Sequence, residues 1–185
     1  MFSEISLEKR SALLKVLLLF SLGIALGLFG LFIWAHYYAH PVPDTKADRI
    51  VVEKAARRLT LFRRTTALKS YRVALGRESI GPKREEGDHR TPEGFYKIDR
   101  RKPDSDFHLA LHVSYPNTGD VAQAEARGIS AGSDIMIHGL RNGCGWIGKL
   151  HRSTDWTDGC VAVTDQEIEE IWRVVPDGTP IEIRP

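Results

Sequence analysis

Residues Val16 to Trp34 read VLLLFSLGIALGLFGLFIW, without a single charged side chain. A helix of about twenty apolar residues matches the hydrocarbon thickness of a bilayer, where every backbone N–H and C=O must be bonded internally. No polar face interrupts the run, so it does not read as the amphipathic helix of a water-soluble core. Lys9, Arg10 and Lys15 precede it. Basic flanks stay in the cytoplasm, which places the N-terminus inside and everything beyond the helix outside. A cleaved signal peptide is the competing reading, but its apolar region is shorter, roughly 7–15 residues, and ends at a small-residue cleavage site. Here the run exits into Trp34-Ala35-His36-Tyr37-Tyr38, aromatics suited to a membrane interface. The expected organisation is a cytoplasmic N-terminus over 1–15 and a transmembrane anchor over 16–36. A linker over 37–48, stiffened by Pro41 and Pro43, leads to one domain over 49–185.

Acidic and basic side chains nearly balance in the exported part, so no basic field is available to hold nucleic acid. The pattern there is mainly β. Ile50–Glu53, Arg58–Phe62 and Ser70–Leu75 are β-branched or aromatic runs between short polar breaks, which predicts a meander. Gly76 to Gly94 reads as a loop. Strands are expected again at Phe95–Ile98, Leu109–Ser114, Asp134–Ile137 and Pro180–Ile183. Two short helices are expected. One is capped by Asp120 and stops before Gly128. The other opens with the capping box Thr164-Asp165-Gln166-Glu167, buries Ile168, Ile171, Trp172 and Val175, and closes at Gly178. Leu140 to Asp158 reads as a loop rich in glycine, tryptophan and basic residues.

Two short segments carry chemistry. Ile137-His138-Gly139 places an imidazole at a strand end, and Thr157-Asp158-Gly159-Cys160-Val161 places a thiol beside a glycine. Cysteine attacks as thiolate, and a histidine is the usual means of generating one. Glycine beside the thiol lets backbone N–H groups converge where an oxyanion would form. The combination predicts acyl transfer through a thioester. A buried packing cysteine needs no polar, glycine-containing turn before it. Tyr115 and Trp156 are candidates to line a substrate groove, and Arg141 to hold a substrate carboxylate. Cys144, His138, His151 and Cys160 could in principle bind zinc, but no short paired ligand spacing supports it, so no metal and no other cofactor is expected. The two cysteines could also pair in an oxidising compartment, which would tie up the nucleophile.

At these residues the chain resembles the YkuD-type L,D-transpeptidase catalytic domain of cell-wall enzymes. The resemblance runs through Gly76…Gly81-Pro82-Lys83, Gly87-Asp88…Arg90-Thr91-Pro92-Glu93-Gly94 and Ser114-Tyr115-Pro116-Asn117. It continues through Ile137-His138-Gly139 and Asp158-Gly159-Cys160-Val161 to Gly178-Thr179-Pro180-Ile181. It implies a β-sandwich-like catalytic fold in the periplasm, anchored in a bacterial inner membrane. It implies Cys160 as nucleophile, His138 as proton acceptor and donor, and the Gly139 carbonyl as the group orienting His138. The backbone N–H groups of Asp158, Gly159 and Cys160 would form the oxyanion hole. Its substrate would be a peptidoglycan stem tetrapeptide, attacked at the carbonyl of residue three, and a carbapenem should acylate Cys160.

Two departures stand out. The family's best-known motif is Ser-His-Gly-Cys, where this chain has Thr157 and Asp158. It commonly has Arg or Asn two residues after the cysteine, where this chain has Ala162. The Asp-Gly-Cys-Val-Ala form resembles a branch that cuts links between murein and a lipoprotein. The expected chemistry is therefore transpeptidation, with a thiol hydrolase of the same fold or a non-catalytic wall-binding module as alternatives. The Asp158 carboxylate is expected to stabilise an imidazolium on His138.

Overall fold

The computed structural model describes residues 7–38 and 45–185, so the expected linker residues 39–44 fall outside the described residues. Two compact units, Met1–Pro41 and Val42–Pro185, separate along the chain. The first holds helix α1, Leu7–Tyr38. Its segment Leu14–Phe32 is long and apolar enough to cross a membrane, and none of it is buried against protein. Apolar surface exposed all round a helix is stable only against lipid or another protein.

The second unit is strand-rich. Its strands are β1 (Arg49–Glu53), β2 (Arg58–Arg63), β3 (Thr66–Arg72), β4 (Gly94–Ser105), β5 (His108–Val113), β6 (Met136–His138), β7 (Val161–Ala162) and β8 (Pro180–Arg184). They lie in the order β3-β2-β1-β8-β4-β5-β6-β7. The first three form the expected antiparallel meander. The sheet is mixed, because β1 runs parallel to β8 and β6 parallel to β7.

β4 is the strand that joins the two halves. Its first residues pair with β8 and its later residues with β5, with register shifts between Ile98 and Arg100 and between Lys102 and Ser105. From the sequence the strand ends at Ile98, because Asp99-Arg100-Arg101-Lys102-Pro103-Asp104 has no alternation of apolar residues. Pairing with β5 supplies the ladder, and the irregular register accommodates a proline that cannot donate. β7 is too short to carry a pattern at all. It exists because Ile137 and His138 offer a ladder to Val161 and Ala162.

Helix α2 (Thr118–Glu125) is capped by Asn117, not Asp120. Asn117 Oδ1 accepts N–H groups from Gly119 (2.8 Å) and Asp120 (3.0 Å), while Asp120 Oδ2 accepts from Asn117 N–H (2.9 Å). Asp120 is thus the reciprocal partner of the capping box. Helix α3 (Asp165–Val174) has the expected Thr164–Glu167 capping box. It stops at Val174 rather than at Gly178, because Pro176 disfavours helical backbone at Val175. Ile168, Ile171 and Val174 are fully buried and pack with Leu111, Ile137, Val161 and Val163 into one core. The stretch expected as a loop contains a 3-10 segment, Gly145–Ser153, broken at Gly148.

Candidate active site

β6 and β7 are neighbours with Ile137 opposite Val161 and His138 opposite Ala162. Ile137 and Val161 belong to the core, so by alternation His138 and Ala162 face the other side of the sheet. Cys160, two residues before Ala162, shares that face. A cavity of about 270 Å³ opens there, lined among others by His138, Cys160, Met136, Phe107, Trp156 and Lys102. The Cys160 thiol lies 3.4 Å from Met136 N–H, which donates to it, and 3.6 Å from the Asp134 carbonyl. Cys144 and Cys160 are both free thiols.

His138 is 5 % exposed. Its Nδ1 lies 2.7 Å from the Gly139 carbonyl. A carbonyl only accepts, so Nδ1 carries the proton and Nε2 is left as the acceptor. Burial holds the pKa of His138 below the usual histidine value, although the bond to Gly139 opposes that shift. Burial also pushes the Cys160 thiol up to about 11, with the Asp158 and Asp134 carboxylates acting in the same direction. The resting pair at neutral pH is therefore a neutral imidazole and a neutral thiol.

The loops around the pair are held by close backbone packing. Gly139 sits on the N-terminus of α3, where Asp165 Oδ1 accepts the Leu140 N–H at 2.7 Å and a Cβ on Gly139 would approach that oxygen to 2.8 Å. Gly159 has φ +127°, and a Cβ there would meet the Arg90 carbonyl at 2.6 Å. Thr157 ties the same turn: its hydroxyl donates to the Cys160 carbonyl (2.8 Å) and accepts the Gly159 N–H (3.2 Å). One of the three N–H groups expected in an oxyanion hole is thus engaged by a neighbouring side chain. Asp158 N–H and Cys160 N–H belong to the same turn.

An aromatic wall closes one side of the cavity. The Phe107 ring centroid lies 4.6 Å from the His138 imidazole and 6.1 Å from Trp156, whose ring is 5.8 Å from His138. Trp156 Nε1–H donates to His151 Nδ1 at 3.4 Å. Burial and the adjacent Arg152 guanidinium lower the pKa of His151 to about 4, so it stays neutral and able to accept. Phe107 was not legible as a site residue. It lies at the tip of the β4–β5 hairpin, and its carbonyl accepts the Gly139 N–H at 3.1 Å. The only signal in the sequence was an aromatic placed in a polar turn, Asp106-Phe107-His108.

Three expectations are corrected. Tyr115 is 3 % exposed, donates to the Ala131 carbonyl (2.8 Å) and packs edge-on against Tyr96, so it belongs to the core and does not line the cavity. Arg141 is exposed and does not line the cavity either. The Asp158 carboxylate turns outward, 73 % exposed, and pairs with Arg77 and with His89 (2.8 Å) instead of with His138. The Arg77 guanidinium, followed by His89, holds its pKa below the usual carboxylate value. Among the described residues no group of three His, Cys, Asp or Glu side chains is placed to hold a metal ion.

Comparison with known proteins gives the arrangement its context. YafK of Escherichia coli K12, a protein named for the L,D-transpeptidase class, is 36 % identical over 110 residues, covering 58 % of this chain and 37 % of YafK. The chain thus spans little more than a third of that relative's length. The helical cell shape determining protein Pgp2 of Campylobacter jejuni shares the fold with TM-score 0.57 and 24 % identity over 76 % of this chain and 48 % of Pgp2. An L,D-transpeptidase of Mycobacterium smegmatis superposes with TM-score 0.51 and 13 % identity over 75 % of this chain and 59 % of its own. The model of the YkuD family, the L,D-transpeptidase catalytic domain, matches residues 47–183. That match takes in both segments meeting in the cavity, and it makes this chain a member of the YkuD L,D-transpeptidase family.

Proposed function

We propose that the protein is a membrane-anchored cysteine L,D-transpeptidase, with its catalytic domain in the periplasm, acting on peptidoglycan stem tetrapeptides. One observation carries the reading: Cys160 and His138 line one cavity, with His138 Nδ1 held on the Gly139 carbonyl and Nε2 left as a base. As sulfur attacks the carbonyl of residue three, His138 Nε2 takes the thiol proton. The backbone N–H groups of Asp158 and Cys160 receive the oxyanion, while the Gly159 N–H stays on the Thr157 hydroxyl. Collapse forms the thioester and expels the terminal D-residue, whose amine takes the proton from His138. An acceptor amine then attacks the thioester, passing its proton through His138 back to sulfur. Because the resting pair is neutral, proton transfer accompanies attack rather than preceding it.

The anchored topology is supported by α1 and its basic flank. A hydrolytic outcome, trimming stem peptides or releasing a murein-bound protein, is favoured by one feature: Asp158 and Ala162 stand where the crosslinking pattern has other residues. Incubation with a muropeptide tetrapeptide and mass spectrometry separates the readings. Crosslinked dimer supports transpeptidation, a tripeptide supports hydrolysis, and no change supports a binding module. Cys160→Ala should abolish either product; full activity in that variant refutes the assignment.

A further inference from the structure

The sheet register extends the site beyond its Cys–His pair. Lys102 on β4 lies opposite Ala110 on β5, which lies opposite His138 on β6, which lies opposite Ala162 on β7. The adjacent row, Arg101, Leu111, Ile137 and Val161, turns toward α3: Leu111, Ile137 and Val161 are core residues, and Arg101 bonds the carbonyls of Trp172 and Val175. By alternation Lys102 stands on the same face as His138, two strand spacings or about 10 Å away. The residue between them, Ala110, is fully buried, and both flanking side chains line the cavity instead.

Lys102 also lies where two cavities join. It lines the cavity of Cys160 and a neighbouring one of about 540 Å³, and Asp134 and Met136 line both. The other cations there are engaged. Arg100 pairs with Asp134 (3.3 Å), and Arg101 pairs with Asp177 (2.9 Å). Among the described residues Lys102 forms no hydrogen bond or ion pair, although it is only half-exposed. A partly desolvated ammonium with no bonded partner favours an anionic ligand. The carboxylates of Asp104, Asp106 and Asp134 on the same walls disfavour a polyanion such as nucleic acid or a polyphosphate. A single carboxylate on an otherwise neutral or zwitterionic peptide fits both constraints.

We propose that Lys102 recognises a free carboxylate of the peptide substrate, carried within about three residues of the carbonyl that Cys160 attacks. The inference rests on the peptide-acylating reading of the site and adds to it a residue that selects the substrate. The ammonium holds the carboxylate at the junction of the two cavities, and the chain runs along the cavity that Lys102 shares with His138 and Cys160.

The test uses the full chain and a set of synthetic stem tetrapeptides in which each carboxylate in turn is replaced by carboxamide. One amidation should lower kcat/KM about tenfold for the wild type. Lys102→Met should lose about the same factor on the free acid and show no further loss on that amide, while Lys102→Arg recovers most of the discrimination. Binding of the same peptides to Cys160→Ala, followed by calorimetry, gives a readout independent of turnover. Discrimination that survives in Lys102→Met, or equal affinity for every amide, overturns the inference. Carboxylate-dependent binding that needs Lys102, in an enzyme that turns over no peptide and takes up no carbapenem, refutes the catalytic reading and leaves Lys102 standing.

Discussion

The neutral resting pair makes a strong prediction about pH. A thiol moved from the ordinary cysteine range to about 11 carries about a hundredfold less thiolate than a free cysteine at any pH below its own ionisation. At pH 7.5 that is on the order of three thiols in ten thousand. Alkylation by iodoacetamide, which receives no help from a general base, should therefore be slow at neutral pH and climb toward a midpoint near 11. Acylation by a carbapenem should behave differently, because His138 can take the proton as sulfur attacks. Its pH dependence should follow His138. Burial lowers the pKa of that group, so the neutral, competent form is lost only as pH falls below the ordinary histidine value of about 6.5. The rate should be flat from about pH 7 to about pH 10. The assay is intact-protein mass spectrometry of both adducts against pH in a Cys144→Ser background. His138→Ala should remove the carbapenem reaction and leave the slow alkylation profile in place. An alkylation midpoint at or below pH 8 would refute the argument, because it would show that the thiolate–imidazolium pair exists before substrate arrives.

Other perturbations test the scaffold and the topology. Asp158→Asn should change carbapenem acylation by less than about threefold, since the carboxylate is exposed and pairs with Arg77 and His89 rather than with His138; a tenfold loss would show that it supports an imidazolium on His138 after all. Gly159→Ala forces a side chain onto φ +127° against the Arg90 carbonyl and should cost about 2–4 kcal/mol, read by urea unfolding, together with most activity. Lys54, 2 % exposed, donates to the Gly81 and Thr91 carbonyls and pairs with Glu93 (2.7 Å). Lys54→Met should destabilise the domain by about 3–5 kcal/mol, and adding Glu93→Leu should recover part of the loss; a neutral single variant would count against the pairing. A reporter active only outside the cytoplasm, fused after Pro185, should be active, and an inactive fusion contradicts the proposed topology.

Much of this protein was legible along the chain because the determining interactions are local. An uncharged run long enough to span lipid specifies α1 whatever surrounds it. Thr164 and Glu167 cap α3 within one turn, and the apolar period of Ile168 and Ile171 fixes the face it buries. His138 and Cys160 stand out as candidates because a thiol and an imidazole each lie beside a glycine, and the structure places both on one cavity. What the chain does not carry locally is who lies opposite whom. β7 and the far half of β4 have no strand pattern of their own and exist only because β6 and β5 supply the ladder. Tyr115 and Trp156 look alike as aromatics near strands, and only the packing buries one in the core and turns the other to the wall of the cavity. Asp158 is two residues from the thiol in sequence, yet its carboxylate turns away to Arg77, while Lys102, far off in sequence, shares a register row with His138. Charges and rings act through space, over a few ångströms, so their partners are set by the sheet order and not by neighbourhood in the chain.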